Sequence, residues 1–263
     1  MEEQTPALSR TMQEGFMTCI LDIGEMLLKN GAEIMRVEDT LFRLCKSCGF
    51  SSAEVFSIPS CIILTARAPG GATITQTRRV RARGTDLDLV SRANDLSRKV
   101  CACPPPLEEF QAEVKALKNK KSYTPKQQLF IYCLISASFS VFFGGNALDA
   151  LASAISGAVL YMAVSLGGLI RLNSILMNAF SSALTAFAVI ILCAFLPGAS
   201  HDKIIIGNIM LLIPGLALTT SLRDIINGDT ISGLAGFCEA VIKALAIAAG
   251  SAVVLYGLGG YSI

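Results

Sequence analysis

The sequence predicts an α-helical polytopic membrane protein of five transmembrane helices, with an N-terminal cytoplasmic α+β domain. Three observations carry that prediction. Charge is confined to one half: 18 of the 22 Lys+Arg and 15 of the 20 Asp+Glu precede Leu129. The other half is a succession of apolar segments, and the mean hydropathy of the whole chain, +0.57, is too high for an ordinary soluble domain. Between the two stand Lys115, Lys118, Lys120, Lys121 and Lys126, directly before the first apolar segment. The expected boundary therefore divides a cytoplasmic domain, 1–126, from a transmembrane domain, 127–263.

In the first domain, Met12, Phe16, Ile20, Ile23 and Leu27 recur at helical spacing and stop near Asn30-Gly31. A second helix carries Ile34, Val37, Leu41, Leu44 and Cys48 on one face and ends at Gly49. Three runs rich in β-formers follow, Ala53–Ser57, Cys61–Ala68 and Ala72–Val80. The last two join at Pro69-Gly70-Gly71, a hairpin signal. Thr85 and Asp88 form a helix-start pair before Leu89, Ala93, Leu96 and Val100. Cys103-Pro104-Pro105-Pro106 ends that helix, and a fourth carries Leu107, Phe110, Val114 and Leu117.

Five spans fit the second half: Gln127–Gly144, Ala147–Leu166, Ser174–Leu196, Ile204–Leu222 and Ile231–Gly257. Each is long enough for a hydrocarbon layer of roughly 30 Å. The lysine cluster holds the first domain in the cytoplasm, and Arg171 and Arg223 fall in alternate loops on the same side. The expected topology in the cytoplasmic membrane is N-terminus in, C-terminus out. The polar stretch Met1 to Gly15, with Glu2, Glu3 and Glu14, does not read as a signal peptide, so the first span is expected to direct insertion.

Several residues in the apolar half call for a chemical reason. Glu239 and Lys243, four apart in the fifth span, either neutralise one another or handle substrate and protons. Beside them Gly236, Ala240, Ala244, Ala248 and Ala252 form a ridge of small residues that admits another helix. Pro214-Gly215 interrupts the fourth span. It is either a packing kink or a discontinuous helix whose freed backbone groups meet a polar solute, with Asn208, Thr219 and Thr220 nearby. Asp149, at the outer end of the second span and sharing a face with Ser153 and Gly157, is either functional or a solvated loop aspartate, and Arg223, Asp224 and Asp229, in the inner loop after the broken helix, either gate the cytoplasmic mouth or form a structural turn network.

Other chemistries find little support. The only histidine, His201, lies in the apolar half, so a Ser-His or Cys-His hydrolase in the first domain is excluded. No Gly-rich phosphate loop suggests ATP-driven transport, and a net charge of +2 does not suggest nucleic acid. Nine cysteines without a leader point to a reducing compartment. Cys45, Cys48, Cys101 and Cys103 offer either a zinc set or small apolar side chains, and the reading adopted is no metal and no cofactor. Arg78, Arg79, Arg81 and Arg83 either guard a strand edge or meet anionic lipid or an acidic substrate.

The chain resembles the threonine/serine exporter family of secondary transporters. The resemblance rests on Gly24 to Glu33, Arg36-Val37-Glu38, Ile58-Pro59 and Thr77-Arg78-Arg79-Val80 in the first domain. In the second it rests on Phe143-Gly144-Gly145 with Asp149 and on Ile206 to Met210. Its most specific block runs from Leu212 through Pro214-Gly215 to Thr220, then Arg223-Asp224, Gly228-Asp229, Ser232-Gly233 and Glu239-Ala240. The resemblance implies a non-enzymatic subunit exporting threonine and serine on the proton motive force. Lys243 departs from the family pattern, where an apolar residue is usual. Longer members join two membrane halves, so the chain resembles a split form whose second half is a separate small membrane protein, with a higher oligomer also open. The alternative substrate implied by such split relatives is a dicarboxylate such as succinate; a membrane-anchored hydrolase or sensor is the rival class.

Overall fold

The computed structural model describes residues 10–81, 84–119, 123–170 and 172–259; the expectations placed on Glu2, Glu3, Arg83, Lys120, Lys121 and Arg171 lie outside them. By internal contacts the chain divides into two compact units, Met1–Ser122 with Leu216–Phe237, and Tyr123–Gly215 with Cys238–Ile263.

The first unit is built around α1 (Arg10–Lys29), which packs against α2 (Ile34–Ser47), α3 (Leu87–Ala102), α4 (Leu107–Asn119) and the strands β2 (Cys61–Arg67) and β3 (Thr73–Arg79). Its central position follows from its composition: Met17, Ile20, Leu21, Ile23, Leu27 and Leu28 are all fully buried, more than one face of a surface helix would supply. With β1 (Ser52–Ile58) the strands form an antiparallel sheet in the order β1-β2-β3. Period two puts Ile62, Leu64 and Ala66 of the central strand into the core, while Ile63 and Thr65 face outward. Gly31, Gly49 and Gly71 adopt positive φ where the two helices and the hairpin turn end.

Two sequence expectations are corrected here. The start of α3 is capped by Asp86, which accepts the Leu89 N–H at 2.9 Å, and not by the Thr85–Asp88 pair. With the cap one residue closer to the helix, the amide it takes is that of Leu89 and not that of Asp88, which a Thr85 cap would take. Arg78 is not an edge guard, because its guanidinium lies 2.7 Å from Asp22 and 3.5 Å from Glu25, both on α1. Asp22 also receives Lys118 at 2.7 Å, so one carboxylate joins α1, β3 and α4.

The second unit contains α5 (Pro125–Phe142), α6 (Ala147–Leu169), α7 (Ser174–Phe195), α8 (His201–Ile209) and the greater part of α10 (Thr230–Gly259). Among the described residues three helices are long and apolar enough to cross a membrane: α6, α7 and Thr230–Gly257 of α10. α5 has 18 residues and opens with Lys126, Gln127 and Gln128 after a Thr124–Gln127 capping box. The expected fourth span is not one helix. α8 has nine residues, about 14 Å of rise, and is separated from α9 (Gly215–Ile226) by a turn at Met210–Pro214. Pro214 has no N–H and its ring clashes with the carbonyl four residues earlier, so a helix cannot run through it unbroken. Leu216–Phe237, which hydropathy had grouped with the membrane half, packs with the first unit.

Gly24 marks a close approach in the first core: a Cβ there would fall 2.8 Å from Leu41 Cδ1 and 3.3 Å from Ile62 Cδ1. Leu41 and Ile62 are themselves fully buried and have no room to withdraw. Gly24→Val should lower stability by about 1–3 kcal/mol, the usual cost of overpacking, seen as a reduced thermal midpoint of the purified chain. An unchanged midpoint would show that the core yields there.

Candidate functional site

Two groups of polar side chains stand out, one in each unit. In the second unit they line the contacts among α5, α6 and α8. Ser136 and Ser140 on α5, Ser153 and Ser156 on α6, and Asn208 on α8 are all at most 1% exposed. The Ser153 hydroxyl donates to the Ser136 carbonyl at 2.8 Å, and the Asn208 amide donates to Ser156 Oγ and to the Ile204 carbonyl, each at 2.8 Å. Three buried atoms are left without a partner: Ser136 Oγ, Ser140 Oγ and Asn208 Oδ1. Glycines bring the helices this close. A Cβ at Gly207 would lie 2.8 Å from the Ser136 carbonyl oxygen, and one at Gly157 would lie 2.6 Å from Ser136 Oγ.

Asp149 sits a turn before Ser153 and is fully buried, not solvated as a loop aspartate usually is. Its two oxygens accept the backbone N–H of Asn146 at 2.9 Å and of Ser200 at 2.6 Å. One carboxylate thus fastens the α5–α6 turn to the α7–α8 turn through charge-assisted bonds. Asn146 Nδ2 reaches the Gly198 carbonyl at 3.3 Å across the same junction.

The break before α9 is less open than expected. The Leu211 N–H bonds the Asn208 carbonyl, and the Leu212 and Ile213 amides both bond the Ile209 carbonyl, so the turn re-satisfies most of its own groups. Thr219 and Thr220 belong to the first unit and donate to the Leu216 carbonyl at 2.9 and 3.0 Å. Glu239 and Lys243, in the second unit, form an ion pair at 2.7 Å, with the lysine side chain mostly covered and the glutamate half-exposed. The buried face of α10 there includes Ala240, Ile247, Gly250 and Ser251, while Ala244 and Ala248 of the expected small-residue ridge are exposed. Ser251 and the Ile247 carbonyl both bond Ser182 of α7, and a Cβ at Gly250 would overlap the Ala179 carbonyl oxygen.

The second group is in the first unit, where the end of α9 and the start of α10 meet α2 and the sheet. Arg223 pairs with Glu33, and Asp224 Oδ1 accepts the Ile34 N–H at 3.3 Å. Glu33 is the residue at the N-cap of α2 but makes no cap bond itself, so the cap comes from 190 residues further along the chain. Glu38, a turn on, accepts the Ser57 N–H at 2.6 Å, and the Ser57 carbonyl accepts the Ser232 hydroxyl at 3.3 Å. Burial raises the Glu38 carboxyl above its ordinary value, the Ser57 N–H works against that, and the nearby charge of Asp229 adds to it. Sequence reasoning singled out Arg223, Asp224 and Asp229 but not Glu33, Glu38, Ser57 or Ser232 as their partners. In the second unit it passed over Ser136, Ser140 and Ser156, for which the available signal was hydroxyls three or four apart within apolar segments.

The cysteines of the first unit lie near one another, Cys48 being close enough to feel Cys101 and Cys19. Cys45 and Cys48 are in the hydrophobic core, where burial pushes their thiols up to about 12 and about 11. Cys101 is half-buried and Cys103 exposed, and no group of three or more His, Cys, Asp or Glu suited to a metal occurs among the described residues.

Three helices long and apolar enough to cross a membrane, with buried hydroxyl and amide groups at their contacts, are the features of a membrane protein. The chain belongs to the ThrE family, described as "Putative threonine/serine exporter", whose model matches residues 18–257. No curated protein and no solved structure matches it.

Removing the Asp224 carboxylate leaves α2 without its cap. Asp224→Ala should cost about 1–2 kcal/mol in thermal unfolding, and Asp224→Asn, which keeps an acceptor, less than half of that. Equal losses for the two would assign the effect to something other than the cap. Glu38 gives a pH signature. A folded-state pKa above the unfolded one disfavours the ionised native form, so the contribution of Glu38 to stability is greatest below its unfolded value and is lost as pH rises through the folded one. Glu38→Gln retains the acceptor for Ser57 and should flatten that fall; an identical pH profile for wild type and variant would refute it.

Proposed function

We propose that this chain is one subunit of a secondary exporter that moves small polar metabolites, threonine and serine foremost, out across the cytoplasmic membrane on the proton motive force. The observation that supports this most is the buried hydroxyl and amide group on α5, α6 and α8. Polar atoms sealed in an apolar bundle without partners cost free energy, on the order of 1–3 kcal/mol each, unless a polar occupant meets them. A small solute bearing hydroxyl, ammonium and carboxylate groups is such an occupant. The family, whose description is that of an exporter, agrees in kind.

In this reading α5, α6, α7 and α10 cross the membrane, the remaining pass is made by α8 with the Met210–Pro214 turn, and α9 rests on the first unit. The N-terminus is cytoplasmic and the C-terminus outside. Glu239 is the proton-carrying group, held by Lys243 when ionised. Asp149 fastens the outer turns, while Arg223, Asp224 and Asp229 hold the cytoplasmic end of α9 to the first unit. The second half of the transporter comes from a separate small membrane protein, and exposed Ala244 and Ala248 offer it a close approach.

The test is efflux of labelled threonine, serine and succinate from cells expressing the chain with its candidate partner, with and without a protonophore. Export of threonine or serine that collapses with the proton gradient is expected. Asn208→Leu should reduce it at least tenfold while the protein accumulates normally in the membrane. Reporter fusions at Tyr123 and after Gly257 should lie on opposite sides. Succinate as the only exported compound would transfer the reading to dicarboxylates, and undiminished export by Asn208→Leu would remove the polar group from the pathway.

A further inference from the structure

We infer that the first unit carries a binding groove for a compact, multiply charged anion, a polycarboxylate or a phosphate compound, between α2 and α3. The groove has a volume of about 500 Å³. α2 contributes Arg36, Asp39 and Arg43, and α3 contributes Asn94, Ser97 and Arg98. Three guanidinium groups thus face a space that holds one carboxylate. Arg36 and Arg43 are seven apart, two turns on one face of α2, and Arg98 stands on the opposite wall.

The charges are available. Arg36 makes no ion pair among the described residues. Arg43 is held by Asp39 at 2.9 Å and Arg98 by Asp95 at 2.8 Å, but all four side chains are more than half exposed. Exposed pairs of this kind bind their partners weakly, so a ligand with two or more negative charges can take both guanidiniums. The planar fork of arginine matches carboxylate and phosphate oxygens in pairs. The volume lies within the range of small-molecule sites. No aromatic or long aliphatic side chain lines the groove, so a nucleobase or an acyl chain would find no apolar wall.

The position of the groove suggests what the ligand does. Arg36 and Asn94 also line a smaller cavity of about 170 Å³, whose other walls include Glu33, Leu216 and Thr220. Leu216 and Thr220 belong to α9, and Glu33 is the partner of Arg223. An anion that draws Arg36 toward the groove therefore alters the wall on which α9 rests. The groove and the wall under α9 thus share Arg36 and Asn94. This goes beyond the export reading, and its test does not require transport.

Calorimetric titration of the purified full-length chain at low ionic strength, with citrate and with inorganic pyrophosphate as probes and gluconate as the singly charged control, decides it. Saturable binding of at least one probe is expected, at least tenfold tighter than gluconate and weakened by added salt. The Arg36→Gln, Arg98→Gln double variant should lose at least tenfold in affinity while keeping the wild-type thermal midpoint in the absence of probe. Asn94→Asp, which adds a negative charge to the groove without removing an arginine, should weaken binding as well. Absence of saturable binding by both probes, gluconate binding as tight as theirs, or undiminished affinity in either variant would overturn the assignment.

Discussion

The start of α2 is the point on which the first unit depends. A helix beginning inside a folded unit leaves its first amides without intrahelical partners, and its dipole favours negative charge there. The residue at the N-cap, Glu33, carries such a charge but spends it on Arg223. Asp224 takes its place at the Ile34 amide, and it is buried there. Because Arg223 and Asp224 are adjacent, the ion pair and the cap hold the same turn of α9 to the start of α2. That coupling places α9 on the first unit and, through Gly228 at positive φ and the bond from Ser232 to Ser57, the first turns of α10 as well. Gly233 completes the elbow, since a Cβ there would fall 2.6 Å from the Ser221 carbonyl oxygen.

The second unit solves a different problem. Lipid supplies no hydrophobic drive between helices, so association must come from close packing and from hydrogen bonds that lipid cannot replace. Gly157, Gly207 and Gly250 allow backbone to approach backbone, and the serines beside them supply the bonds. The same arrangement leaves hydroxyl and amide atoms sealed without partners, a cost that packing alone does not explain. Asp149, by bonding amides of two turns, keeps the ends of these helices in register.

Much of this was legible in the chain. Apolar spacing located α1, α2 and the three strands to within a residue or two, because each buries a periodic face against one core. Pro214 marked the break because the missing amide acts locally, whatever surrounds it. The cap of α3 was misassigned by one residue, Thr85 for Asp86, because several polar residues in a row satisfy the same local pattern and only geometry selects among them. Arg78 was misread because its partners, Asp22 and Glu25, lie on a helix more than fifty residues earlier.

By itself the sequence determined the division into a charged part and an apolar part, the helices and strands of the first domain, the break, and the family. Each follows from composition or from interactions a few residues long. Only the tertiary structure decided that Leu216–Phe237 packs with the first unit, that Asp224 caps α2, and which of the many serines meet Asn208. Those outcomes depend on which helix faces approach one another, and that is set by packing between residues as far as 190 positions apart. Hydropathy registers how apolar a segment is, but not what lies beside it.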